Sequence, residues 1–264
     1  MGIYSLTEQV VKNKIEFALK NKNFEVFYQP FFDINSKKII GCEALLRLKG
    51  GEGDTISPAT LIPIAEKTNL ISEIDYLVFE AICRNLNQDK INKMPMVPVS
   101  VNFSRISFIA EGFIAFIEKT VDFYEIDPSL LILEITETSM MCDYQTLTNN
   151  ICYLRSLGFK VAIDDFGTGY SSLSALSQLD VDIIKIDKSF IDNLELKSKN
   201  YYILKCIIDL ASILGLNIIC EGVETREQLK SLETLKIKIV QGFLFEKPLN
   251  KKSFNQILLT NCLV

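Results

Sequence analysis

Hydrophobic and polar positions fall into short blocks along this chain. Residues 5–20 place apolar side chains at helical spacing and predict an amphipathic helix. Phe24–Phe31 (FEVFYQPF) reads as a strand, and Lys38–Leu48 (KIIGCEALLRL) as another. The polar stretch between them, Asp33–Lys38, is too short for a parallel crossover, so the pair is expected to be antiparallel. Ser57 before Pro58 is an N-cap with a first-turn proline, opening a helix to about Lys67. Helical spacing resumes over Ile71–Leu86.

From Val97 the blocks alternate. Strands are expected at Val97–Asn102, Leu130–Ile135, Phe159–Asp164, Val181–Ile186, Leu216–Cys220 and Ile237–Val240. Helices are expected at Ile106–Lys119, Tyr144–Leu157, a short stretch near Ser171–Ser177, Tyr201–Leu214, Arg226–Leu235 and Lys252–Leu259. That makes eight strands, most followed by a helix: an α/β fold of the (β/α)8 TIM-barrel type, with the first strand antiparallel to the rest. No Pro/Ser-rich linker divides the chain. We read one domain, residues 24–264, with residues 1–23 as a helix packed on it.

Lys160–Ser172 (KVAIDDFGTGYSS) is the stretch around which the chemistry gathers. Its apolar run ends in adjacent carboxylates, Asp164 and Asp165, and Gly167 and Gly169 supply a turn. Neighbours on a strand face opposite ways, so both acids serve one site only where the backbone turns. A lone D-D-x-G-x-G is more often a solvated acidic turn. Here, other strand ends carry polar residues too: Glu43 with Arg47, Asn102, Glu134 with Glu137, Lys185 with Asp187, Glu221 with Glu224, and Gln241. Each has a bland alternative. Glu43 and Arg47 could be a surface pair, Asn102 a turn residue, Lys185 a partner for Asp187, and Glu224 a helix starter. Together they crowd carboxylates onto the barrel rim where catalytic groups sit, and converging buried carboxylates need cations between them.

Composition narrows that chemistry. The 264 residues contain no His, which excludes Ser-His and Cys-His nucleophile pairs and His-ligated zinc or iron. Any metal would be held by oxygens, which favours Mg²⁺ or Mn²⁺. The net charge of −5 and the lack of a basic run argue against polymeric nucleic acid. Seven Cys without a C-x-x-C pair point to a reducing, cytoplasmic setting. No signal peptide or membrane-length apolar run is evident.

EALLRL (43–48), VNFS (101–104), LEITET (133–138), DDFGTGYSSL (164–173), KIDKSF (185–190), EGVET (221–225) and QGFLFEKPL (241–249) resemble the EAL domain family, the cyclic di-GMP phosphodiesterases of bacteria. The resemblance runs from about Phe24 to the end. It implies two divalent cations, Mg²⁺ or Mn²⁺: one bound by Glu43, Asn102, Glu134 and Asp164, the second by Asp164, Asp165 and Glu221. It also implies that Lys185 hydrogen-bonds the attacking water, and that Glu221 is general base or metal ligand. Glu137 would brace the Phe166–Ser172 loop. Gln29 and Arg47 would contact the nucleotide, with Leu45, Asp187 and Gln241 nearby. A homodimer is expected by the same analogy. Two departures are visible. LKGGEGD follows EALLR where many members carry a Trp or an Arg-His-Pro run, and Cys220 precedes EGVE where Ala is common.

Three functions compete at this point. One is hydrolysis of cyclic di-GMP to linear 5′-pGpG. The second is a catalytically silent cyclic di-GMP receptor or protein-interaction module, a class that typically lacks an acidic ligand; none is missing here. The third is an unrelated phosphate-handling barrel enzyme, which would not need so many metal-type carboxylates.

Overall fold

The computed structural model describes residues 6–49, 55–136, 143–168, 176–192 and 194–260. Helix α1 (Leu6–Asn21) buries Val11, Ile15 and Ala18. Strands β1 (Phe24–Asp33) and β2 (Lys38–Lys49) form the expected antiparallel hairpin, with Gln29 opposite Glu43. A two-residue strand, β3 (Thr55–Ile56), extends the far end of β2. Helices α2 (Pro58–Lys67) and α3 (Ile71–Ile91) follow. Then β4 (Val99–Asn102), β5 (Leu131–Thr136), β6 (Lys160–Phe166), β7 (Ile183–Ile186), β8 (Asn217–Cys220) and β9 (Ile239–Val240) add in parallel, beginning beside β2. Strand β9 pairs with β1 and closes the barrel, so β1 is antiparallel to both neighbours. A last short strand, β10 (Leu249–Asn250), lies against the start of β1.

The paired parts of β4, β7 and β9 begin two residues later than their apolar runs. The single helix expected over Ile106–Lys119 is two, α4 (Arg105–Phe108) and α5 (Phe113–Tyr124). Gly112 breaks the run with a φ of 82°, a left-handed conformation that glycine adopts without strain. An unexpected one-turn helix, Lys188–Ile191, follows β7. The helix expected near Ser171–Ser177 falls mainly outside the described residues. No helix among the described residues is long and apolar enough to cross a membrane.

Two apolar layers hold the barrel. The larger packs the outer strand faces against the helices. The smaller fills the lumen with Phe31, Ile132, Ala162, Ile183 and Ile219, with Ile239 against them. Gly41 sits opposite Phe31, and a Cβ there would come 2.9 Å from the Phe31 ring. The missing side chain therefore lets one large ring plug the lumen.

Candidate active site

The polar layer of the lumen is the apolar layer advanced by one alternation. Side chains two residues apart on a strand face the same way. Two residues beyond Ile132, Ala162, Ile183, Ile219 and Ile239 stand Glu134, Asp164, Lys185, Glu221 and Gln241. Two beyond Gly41 stands Glu43, and two before Phe31, on the reversed strand, stands Gln29. The hydrophobic plug is thus the floor of a polar chamber at the C-terminal ends of the parallel strands, where barrels of this type carry their sites.

Asp165 cannot join that layer by simple alternation. Between Ile163 and Phe166 the β6–β7 register slips, because three steps on β6 match two on β7. This is a β-bulge, a device that re-aims side chains beside active sites. Asp165 adopts a φ of 52° within it, a left-handed conformation that Asp tolerates better than most residues. The strand therefore continues to Phe166 rather than stopping at Asp164, and the bulge does the turning that the sequence assigned to the glycines. Gly167, with a φ of 97°, lies against the Phe190 ring; Gly169 lies outside the described residues.

Lys185 is fully buried at the centre of the chamber. Its ammonium donates to Glu134 Oε2 at 2.9 Å. It lies 2.6 Å from Glu221 Oε1, 3.1 Å from Asp164 Oδ1 and 3.3 Å from Glu43 Oε2. Three N–H donors cannot serve four carboxylates well. Glu134 Oε1, Asp164 Oδ1 and Glu221 Oε1 accordingly accept no hydrogen bond, although two of them are within ion-pair distance of Lys185. Glu43 is better held. Asn102 Nδ2 donates to its Oε1 at 2.9 Å, and Gln241 Nε2 donates to its Oε2 at 2.8 Å. Gln241 Nε2 also reaches Gln29 Oε1 at 3.0 Å, and Gln29 Nε2 donates to the Glu246 carbonyl at 3.4 Å.

The electrostatics follow from this crowding. Burial pushes the Glu134 carboxyl well above its usual range; Lys185 opposes that, while Glu43, Asp164 and Glu221 add to it. Burial likewise raises Glu221 to about 8 against the pull of Lys185, with Asp164 and Glu43 contributing. Burial and the adjacent Asp164 charge raise Asp165 to about 6. Burial also works against Glu43, but Lys185 and the Gln241 and Asn102 hydrogen bonds outweigh it and hold this carboxyl below its usual range. Burial would lower Lys185, and the surrounding carboxylates overcome it and hold the ammonium charged.

These residues fit oxygen-ligated divalent cations. Glu43, Glu134 and Asp164 bring ligand oxygens within 4.8 Å of one another, and so do Asp164, Asp165 and Glu221. Asp164 belongs to both groups. Five carboxylates against one ammonium leave a formal charge of −4 in a chamber with orphaned buried oxygens, which two divalent cations would neutralise.

The other expected site residues sit apart from this cluster. Leu45 lines a cavity of about 500 Å³ that opens from Glu43, Asn102, Asp164 and Asp165 along α2 and α3. Arg47 is half-buried; its guanidinium lies 5.7 Å from the Phe27 ring centre and donates to the Leu46 carbonyl at 2.9 Å. Asp187 caps the Lys188–Ile191 helix by accepting from Ser189 N at 2.9 Å. Glu224 pairs with Lys188 at 2.6 Å. Glu137 lies outside the described residues. Sequence reasoning missed Asp75, a buried acid of α3 that lines the same cavity. Its position among Ile71, Ile74, Val78 and Ile82 was the available signal, because a solvated acid does not belong on an apolar stripe.

The model of the EAL domain matches residues 12–248. This chain belongs to the EAL domain family. The EAL domain is 34% identical over 242 residues to the probable cyclic di-GMP phosphodiesterase PdeB of Escherichia coli, covering 92% of this chain and 46% of that protein. The chain thus spans about half the length of that relative or less. Among solved structures, the PaMucR phosphodiesterase in complex with c-di-GMP superposes with a TM-score of 0.86 at 33% identity, covering 93% of this chain and 99% of that one. The EAL enzyme Bd1971, bound to cAMP and cyclic di-GMP, superposes with a TM-score of 0.88 at 32% identity, over 96% of this chain and 69% of that one.

Proposed function

We propose that this EAL domain is a metal-dependent phosphodiesterase that hydrolyses cyclic di-GMP to linear 5′-pGpG. The observation that carries the proposal is the sharing of Asp164 by two carboxylate groups around one buried lysine. The likeness to a phosphodiesterase solved with c-di-GMP supports the substrate. No acidic position of the expected set is lacking, which favours turnover over silent binding.

Divalent cations, when bound, supply positive charge that polarises a phosphodiester and acidifies water. We assign Glu43, Asn102, Glu134 and Asp164 to one ion and Asp164, Asp165 and Glu221 to the other, with Mg²⁺ or Mn²⁺ as the ions. Asn102 donates through its nitrogen to Glu43, which leaves its amide oxygen as the atom it offers as a ligand. Among the described residues Lys185 is the one cationic donor between these acids, and it holds the attacking water by hydrogen bonding. The proton of that water passes to the Glu221 carboxylate, which stands 2.6 Å from the Lys185 ammonium. Oxygen attacks phosphorus, the bond to one 3′ oxygen breaks, and that oxygen gains a proton. The apolar cavity wall of Ile56, Leu61, Ile62 and Ile74 accepts a purine face, with Leu45 at its edge. We assign Arg47, Gln29, Asp187 and Gln241 to contacts with the nucleotide.

We further assign the domain to residues 24–264, with residues 1–23 as a helix packed on it, and place it in the cytoplasm. A homodimer is proposed through the helix Lys199–Leu214, which exposes Tyr202, Ile203, Ile213 and Leu214. The test of function is direct. Purified protein with cyclic di-GMP and Mg²⁺ or Mn²⁺ yields a single linear dinucleotide by chromatography, and EDTA abolishes it. Absence of product with every divalent ion, beside tight cyclic di-GMP binding by calorimetry, would replace the enzyme with a receptor.

A further inference from the structure

We propose that Asp75 is a positioning residue for the metal site, acting through the turn that carries Asn102; this rests on the metal-dependent reading above. Asp75 Oδ2 accepts the main-chain N–H of Ser104 at 2.9 Å and the Ser107 hydroxyl at 2.6 Å. Ser107 Oγ lies 2.7 Å from Ser104 Oγ and 3.0 Å from Ser72 Oγ. Asp75 and these serines therefore fasten the turn after β4 to helix α3. On its other side the same turn is fastened to β5, because Phe103 N donates to the Glu134 carbonyl at 2.9 Å. Asn102 sits between these ties, and its amide donates to Glu43.

A purely structural cap does not account for Asp75. Ser104 Oγ already caps α4 by accepting from Ser107 N at 3.2 Å, and α4 is only four residues long. Burial raises the Asp75 carboxyl to about 6 despite the Ser107 and Ser104 hydrogen bonds, so the helix carries an acid where an apolar side chain would pack more cheaply. What the acid adds is direction. With α3 and β5 both gripping the turn, Asn102 has one orientation toward Glu43 and the lumen. Asp75 lines the cavity with Glu43, Asn102 and Asp164 but belongs to neither carboxylate group.

The test uses the full chain and Mn²⁺ binding by calorimetry, alongside cyclic di-GMP turnover. Asp75→Ala is expected to weaken Mn²⁺ about 10–100-fold, the loss typical of residues that orient a metal ligand. Its kcat falls while KM changes little. Asp75→Asn keeps a carbonyl acceptor for the Ser104 N–H and retains most of the affinity. Because Asp75 acts through Asn102, Asp75→Ala adds no further loss in an Asn102→Ala background. Hydrogen exchange at the Ser104 amide quickens in Asp75→Ala and not in Asp75→Asn. Should Asp75→Ala fail to fold, Asp75→Leu suits the apolar stripe and removes the same hydrogen bonds. Wild-type Mn²⁺ affinity in Asp75→Ala or Asp75→Leu, or additive losses with Asn102→Ala, would overturn the proposal. A wild-type protein that binds Mn²⁺ but leaves cyclic di-GMP intact sinks the enzymatic reading alone, and the Mn²⁺ and exchange measurements still decide the role of Asp75.

Discussion

Raising the pH of metal-free protein from 5 to 8 should cost it stability. The perturbation acts on the buried acids. Glu221 is raised by burial from its ordinary 4.5 to about 8. Between those values the folded chain holds a proton that the unfolded chain releases, so stability falls as pH rises. From pH 5 to pH 8 the loss from this residue is roughly 3–4 kcal/mol, taking about 1.4 kcal/mol per pKa unit. Glu134 is raised in the same sense, and Asp75 and Asp165, each raised to about 6, add to the loss in the lower half of the window. Two groups stay silent there. Glu43 is held below its usual range, so its contribution is lost only under more acidic conditions. Lys185 is raised above its ordinary 10.5, so its contribution stays in place up to that pH.

Against a total stability of about 5–15 kcal/mol, such a loss is large. Urea unfolding in EDTA, followed by circular dichroism at pH 5, 6, 7 and 8, measures it. Metal should reverse the trend. Mn²⁺ at about 1,000 times its dissociation constant adds about 4 kcal/mol, and a fixed concentration adds more at pH 8 than at pH 5, because protons must leave before the cation enters. A metal-free stability that stays flat or rises over this range refutes the reasoning. So does equal stabilisation by Mn²⁺ at both ends.

Three substitutions probe the same chamber. Glu134→Gln keeps an acceptor for Lys185 and removes an acid whose ionisation burial opposes; at pH 8 it should stabilise metal-free protein by about 1–3 kcal/mol in urea unfolding while weakening Mn²⁺ binding by at least about 10-fold. Lys185→Met leaves four carboxylates facing one another without their cation. It should cost about 3–5 kcal/mol at pH 8 without metal and clearly less at pH 5, where the acids protonate. Gly242→Ala places a Cβ on the Val223 main chain, within the turn that follows Glu221. The backbone cannot yield as a side chain would, so about 3 kcal/mol or more is expected, read by calorimetry as a Tm lower by about 6–12 °C, together with weaker Mn²⁺ binding.

The barrel and its acids were legible because one periodicity encodes both. Strand ends in this chain are abrupt: an apolar run stops at a carboxylate, an amide or a lysine, and the next helix follows. Alternation then places Glu134, Asp164, Lys185, Glu221 and Gln241 over Ile132, Ala162, Ile183, Ile219 and Ile239 without further information. What the pattern hides is departure from period. The extra residue at Asp164–Asp165 leaves no mark in a run that reads KVAIDDF, since a bulge appears only when the partner strand is counted against it. The break at Gly112 lies in ISFIAEGFIAF, where the apolar spacing carries straight through it. β3 and β10 have two residues each, too few to alternate. The Gln29–Gln241–Glu43 bonds join positions about 200 residues apart, and nothing local announces them.

Asp75 is the instructive case between these extremes. Its stripe was visible, and the sequence reading took from it only the helical spacing of Ile71–Leu86. A charge inside an apolar stripe costs free energy that the helix itself never recovers. The recovery occurs elsewhere, in the Ser104 and Ser107 bonds that hold the turn beneath Asn102. The chamber obeys the same logic at larger scale: the metal-free fold bears five acids and one lysine at its centre, a cost to the barrel that cations bound there would repay. Stability that falls with pH without metal and is restored with it is therefore the property that joins the fold of this domain to its chemistry.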